Sequence, residues 1–217
     1  MDRYGFATGV VALVLVGFPI TWALVGPLVA AVHEAGHAVV GILCGRKVKK
    51  IRIEPEHRGS TEFDRNVNTL MTMAGYLSPP FAGLAAAHAV KSGYADLVLW
   101  VLVFVLGSGL VLLVRNLFGA LAVALTAVVL WIVAAKVGAP AREAVAHVVA
   151  WVLMLGGVRS AFTIQGMNVE GRADGSDPVV LQSLTGLPAV LWSMLLAGAG
   201  CYALYSGAVV LIPSWAP

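Results

Sequence analysis

Apolar runs long enough to cross a bilayer recur along the whole length of this chain, and that leaves few architectures open to it. Uninterrupted apolar stretches of about 18 or more residues read as membrane-spanning helices. The composition agrees: of 217 residues, 59% are hydrophobic and 12% charged, whereas a soluble domain carries about 25% charged residues. Mean hydropathy is +0.89. The chain therefore reads as an all-α polytopic membrane protein, one membrane-embedded domain over residues 1–217 with no room for a sizeable soluble one.

Six to seven spans are expected. The first candidate, Thr8 to Val25, closes at Gly26-Pro27; lacking a clear cleavage site, it reads as a retained span and not a signal peptide. The second is Leu28 to Cys44. A polar stretch follows from Gly45 to Asn68, where "KVKKIRIEP" alternates imperfectly and Arg58-Gly59-Ser60 suits a turn, so a short β-hairpin at the membrane surface is expected. Thr69 to Val90 comes next, with Pro79-Pro80 expected to break it, then Ala95 to Val114, Leu117 to Val137 and Ala141 to Phe162. As one helix, Pro178 to Ile212 would reach roughly 50 Å against a hydrocarbon core of about 30 Å. It divides at Gly186-Leu187-Pro188 into a short helix, Pro178 to Thr185, and a last span from Leu187.

The formal net charge is +3, and its placement matters more than its size. Basic residues concentrate between Arg46 and Arg65, as in a cytoplasmic loop; no nucleic-acid partner is expected. With seven spans and a cytoplasmic N-terminus, Arg3, the Arg46–Arg65 group, Arg115, Arg159 and Arg172 lie inside, and Lys91, Lys136 and Arg142 outside. The Ala-, Val- and Leu-rich composition fits a bacterial cytoplasmic membrane. Cys44 and Cys201 read as small hydrophobes, with no disulfide framework or thiolate metal site.

Inside the second span stands "VHEAGHA", residues 32–38. His33 and His37, four apart, share one helix face and can reach one metal ion, with Zn–N distances of about 2.0–2.1 Å. Glu34 is offset around the helix, placed to take a proton from a metal-bound water whose pKa the ion lowers to roughly 7. Gly36 and Ala35 offer small surfaces to a neighbouring helix. An ionisable group within a bilayer costs roughly 2.5–3.5 kcal/mol on insertion scales, so a cluster of three points to function.

With "HEAGH" on an early span, "AGYLSPP" on the next and an acidic, glycine-rich "ADGSDP" late in the chain, the sequence resembles the site-2 protease-like membrane zinc metalloproteases, as a short divergent member. The resemblance implies an intramembrane zinc endopeptidase acting on peptide bonds in or near transmembrane segments of membrane-protein substrates. It further implies one Zn²⁺ held by His33, His37 and a distant aspartate, with Glu34 as general base. No Asn-Pro precedes the acid here; Asp177 is favoured as third ligand over Asp174, and Glu170 is the nearest other acid. An Asp before Pro is also a common helix N-cap, a role that competes with ligation, and Ser176 could cap equally well.

Two rival functions use the same residues: a catalytically inactive zinc-binding membrane scaffold or regulator, and a divalent-metal transporter. No phosphate-cradling loop or Ser/His/Asp arrangement competes with the metal site. His57 reads as solvated, His88 and His147 as satisfied interior residues, Asn116 as a cap or turn residue, and the six tryptophans as interfacial or lipid-facing. The sequence leaves substrate identity and oligomeric state open.

Overall fold

A computed structural model describes residues 4–54 and 59–212. Arg3, His57, Arg58 and Trp215 lie outside the described residues. Within them the chain forms eight helices and one antiparallel hairpin: α1 (Gly5–Gly17), α2 (Pro19–Leu43), β1 (Val48–Ile53), β2 (Gly59–Phe63), α3 (Thr69–Lys91), α4 (Ala95–Leu112), α5 (Leu117–Lys136), α6 (Ala139–Val169), α7 (Asp177–Thr185) and α8 (Ala189–Leu211). It is an all-α polytopic membrane fold with a small two-stranded sheet.

Five helices, α2, α4, α5, α6 and α8, are long and apolar enough to cross a membrane. At 13 residues α1 is apolar but short of the roughly 20 residues a full traverse needs. The 23-residue α3 is long enough but less apolar, and it occupies the centre, packed by α2, α6 and α8. By contrast α4 and α5 pack mainly on one another and expose large apolar residues such as Phe104 and Leu117 to lipid.

Proline corrects the expected boundaries twice. The first break falls at Phe18, extended ahead of Pro19 at the start of α2, and not at Gly26-Pro27; Pro27 lies inside α2. Nor do Pro79 and Pro80 break α3, which runs through both. Each proline removes one amide donor, but in hydrocarbon an unwound turn would leave several more backbone groups unpaired, so the helix continues. Both rings are buried, Pro80 against Gly157 of α6. The late division holds: Gly186 closes α7 at φ 77°, the left-handed conformation glycine adopts freely. Pro188 precedes α8, whose Ala189 amide donates to Gln182 Oε1 at 2.7 Å. The sixth span is longer than expected, 31 residues.

Other discounted residues also moved. Trp151 is buried, its indole N–H donating to the Gly5 carbonyl at 3.2 Å, so it does not face lipid. His147 is buried and bonded to the Glu143 carbonyl, but His88 is exposed in the last turn of α3. The free Cys44 and Cys201 are half-buried and exposed.

The hairpin is clamped on its outer side. Ile51 and Ile53 point inward, and β1 pairs with β2 in the register Ile51↔Thr61 and Ile53↔Gly59. Its other edge meets the α4–α5 turn: Ile51 N–H donates to Leu113 O at 2.8 Å and Arg115 N–H to Ile51 O at 3.0 Å. Asn116, expected only to cap or turn, grips Ile53 twice, its Nδ2 donating to the carbonyl at 2.7 Å and its Oδ1 accepting from the amide at 3.1 Å. On the solvent side Lys50 pairs with Glu62 at 2.7 Å, and that hydrogen bond holds the Glu62 carboxyl below its ordinary range.

Removing both bonds with Asn116→Ala should lower the free energy of opening β1 by about 1–3 kcal/mol. The expected result is faster amide exchange at Ile51 and Ile53 with unchanged helix content, measured by hydrogen–deuterium exchange in detergent.

Candidate metal centre

The site begins where α2 and α3 press together. Gly36 faces α3 so closely that a Cβ there would overlap Ser78 Oγ and lie 2.6 Å from the Ala74 carbonyl. His33, three residues earlier, and His37, the next residue, reach across the same seam. Gly75 of α3 leaves the room they need, since a Cβ there would strike the Nε2 atoms of both imidazoles.

His37 Nδ1 lies 2.7 Å from the Met71 carbonyl. A carbonyl only accepts, so Nδ1 carries the proton, and in the neutral imidazole Nε2 presents a lone pair. The two Nε2 atoms are 3.1 Å apart, and Asp177 Oδ2 lies 3.1 Å from each. Three donor atoms thus form a triangle of nearly equal sides. Asp177 Oδ2 is buried, with the two imidazole nitrogens as its polar neighbours. Ligands about 2.0–2.1 Å from a tetrahedral zinc ion are roughly 3.3 Å from one another. The triangle fits such an ion. Tyr76 packs edge-on against His33 with ring centroids 4.8 Å apart.

Among the acids weighed from the sequence, the structure brings Asp177 to the histidines. Ser176 takes the N-cap position and Asp177 the first helical one, so capping and ligation do not compete for one carboxylate. Asp174 is exposed in the preceding turn and forms no ion pair with either histidine among the described residues. Glu170 accepts from Arg172 at the surface.

Glu34 points differently. Its ligand atom and those of His33 and His37 lie within 4.8 Å of one another, and the residue is 2% exposed. Its Oε2 accepts from Thr61 Oγ1 of β2 at 2.6 Å. A cavity of about 680 Å³ opens beside this cluster, bounded by α2, α3, α6, β2 and the turn into α7, with Arg159, Thr163 and Arg172 in its wall.

Sequence reasoning missed four members of this arrangement: the Met71 carbonyl, Gly75, Tyr76 and Thr61. Gly75 and Tyr76 stand in the quoted "AGYLSPP", which marked the right span without giving them a role. A backbone carbonyl and a strand threonine leave no signature of their own.

Residues 6–207 match the model of the family described as Peptidase M50B-like. The chain therefore belongs to this site-2 protease family, whose members are membrane zinc metalloproteases. No curated protein and no solved structure gives a significant match.

Gly75→Ala should push the imidazoles apart and weaken zinc binding about 10–100-fold, the range seen when the support of metal ligands is disturbed. Competition with a zinc-chelating dye measures it. Gly198→Ala, where a Cβ meets nothing within 4 Å, serves as the control and should bind as wild type does.

Proposed function

We propose that this member of the Peptidase M50B-like family is an intramembrane zinc metalloendopeptidase that hydrolyses peptide bonds in or near transmembrane segments of membrane proteins. His33, His37 and Asp177 would hold one zinc ion, with Glu34 as general base. The observation that carries this reading is the 3.1 Å triangle of Nε2, Nε2 and a buried Oδ2.

Zinc bound there would supply Lewis acidity, polarising a scissile carbonyl and acidifying water. The chain's own residues do the rest. Glu34 takes the proton of the attacking water on its carboxylate and delivers it to the leaving amide nitrogen. His37 keeps its Nδ1 proton on the Met71 carbonyl, which fixes both its ring orientation and the nitrogen it offers. A substrate helix hides its carbonyls in its own i→i−4 bonds and must unwind before one is attacked. The cavity suits an unwound segment, because Thr72, Ser160 and Thr163 offer hydroxyls that can pair with freed backbone groups. The basic hairpin belongs on the cytoplasmic side by the positive-inside rule.

Metal analysis of detergent-purified protein tests the ligand set. We expect about one zinc per chain, lost in His33→Ala, weakened in Asp177→Ala and retained in Asp174→Ala. No zinc in well-folded wild type, even after reconstitution, overturns the site. Glu34→Gln should keep the metal and abolish cleavage of a transmembrane substrate; a fully active Glu34→Gln protein refutes its role as base. Zinc binding without cleavage by the wild type would identify a scaffold.

A further inference from the structure

We infer that Thr61 is a positioning residue for the proposed reaction, holding the Glu34 carboxylate in its working orientation from strand β2; the inference rests on the reading of Glu34 as general base.

A buried glutamate has three side-chain torsions to fix and up to four acceptor positions to satisfy. Here β2 meets both oxygens. On one, Thr61 Oγ1 donates to Oε2 at 2.6 Å, the length of a charge-assisted bond from a hydroxyl to a carboxylate. At the other, the bare α-carbon of Gly59 lies so close that a Cβ would overlap Oε1. A hydroxyl at 61 and a glycine at 59 are therefore complementary to one carboxylate rotamer. The same Thr61 hydroxyl also lies 3.4 Å from the Glu34 backbone carbonyl, which ties the strand to α2 at that residue.

The seat is itself seated. Thr61 and Gly59 pair with Ile51 and Ile53, and those two residues are bonded on their far side to Leu113, Arg115 and Asn116. The α4–α5 turn thus holds β1, and β1 holds β2 in the register that sets Thr61 and Gly59 against the carboxylate. The strand fixes where the hydroxyl stands, and the hydroxyl fixes where the base points.

The test compares wild type, Thr61→Val and Thr61→Ser in full-length protein, with zinc content and thermal midpoint as controls for folding. Thr61→Val keeps the shape and loses the donor; Thr61→Ser keeps the donor and loses a methyl. Two readouts are taken. One is cleavage of a fluorogenic model peptide, an Ala/Leu transmembrane segment interrupted by Asn-Gly. The other is the Glu34 carboxylate infrared band, isolated as the difference from Glu34→Gln. Loss of a hydrogen bond to a charged group should lower kcat in Thr61→Val roughly ten- to hundredfold, with KM within about twofold and zinc retained. The carboxylate band should move, and Thr61→Ser should restore both. Were packing the only role, Thr61→Ser would be worse than Thr61→Val, and that order overturns the inference. So does an unmoved band, or a Thr61→Val enzyme within twofold of wild-type kcat. If Thr61→Val does not fold, Thr61→Ala takes its place. A band that responds in a wild type unable to cleave any peptide would sustain the seat and refute the protease reading, which keeps the two failures apart.

Discussion

The close approach of α2 and α3 is the constraint on which the rest of the site depends. Gly36 on one helix and Gly75 on the other remove the side chains that would hold the backbones apart. Only at that separation can His37 bond the Met71 carbonyl while its other nitrogen stays beside that of His33. In a bilayer such an approach has no hydrophobic drive, because lipid chains are as apolar as the side chains they replace. Packing of small residues and polar contacts across the seam must hold it, and the Asn68 cap starts α3 in register, its side chain accepting from Met71 N–H at 2.9 Å.

A second layer is built on that seam from opposite sides. From the late part of the chain α7 brings Asp177 to the histidine pair, with Ser176 at its N-cap position and Pro178 in its first turn. From the early part β2 lies over Glu34. Neither element is long enough to be stable alone. The hairpin leans on the α4–α5 turn, and α7 leans on α3 and α8. The bundle thus supplies rigidity to two short pieces that carry chemistry.

How much of this could be read beforehand follows from where each signal resides. "HEAGH" carries its own spacing, so the histidine pair and the offset glutamate were legible from five residues of sequence. Asp177 was legible as one of a few late acids, because an Asp-Pro step opening a short helix has a recognisable form; the competition with capping dissolved once Ser176 took the cap. The hairpin was visible as weak alternation over Val48–Ile53. Its purpose was not, since Thr61 lies 27 residues from Glu34 and a threonine hydroxyl looks alike whether it faces solvent or a carboxylate. Asn116, 63 residues from Ile53, was hidden for the same reason. The misplaced breaks at Pro27 and Pro79-Pro80 came from a rule learned in water, where an interrupted helix can bond to solvent instead.

Pro79 and Pro80 bear on the second reactant of the proposed hydrolysis. Lacking N–H groups, they leave the carbonyls of Gly75 and Tyr76 without their usual α-helical donors, one turn back along α3 and beside the histidines. In hydrocarbon an unpaired carbonyl is expensive, so such groups attract whatever donor can reach them. Tyr76 and Pro79 both line the cavity. The proline pair that was expected to interrupt a helix instead takes two helical donors out of α3 within one turn of the histidines, and on the proposed reading the acceptors so freed would favour water where the reaction needs it.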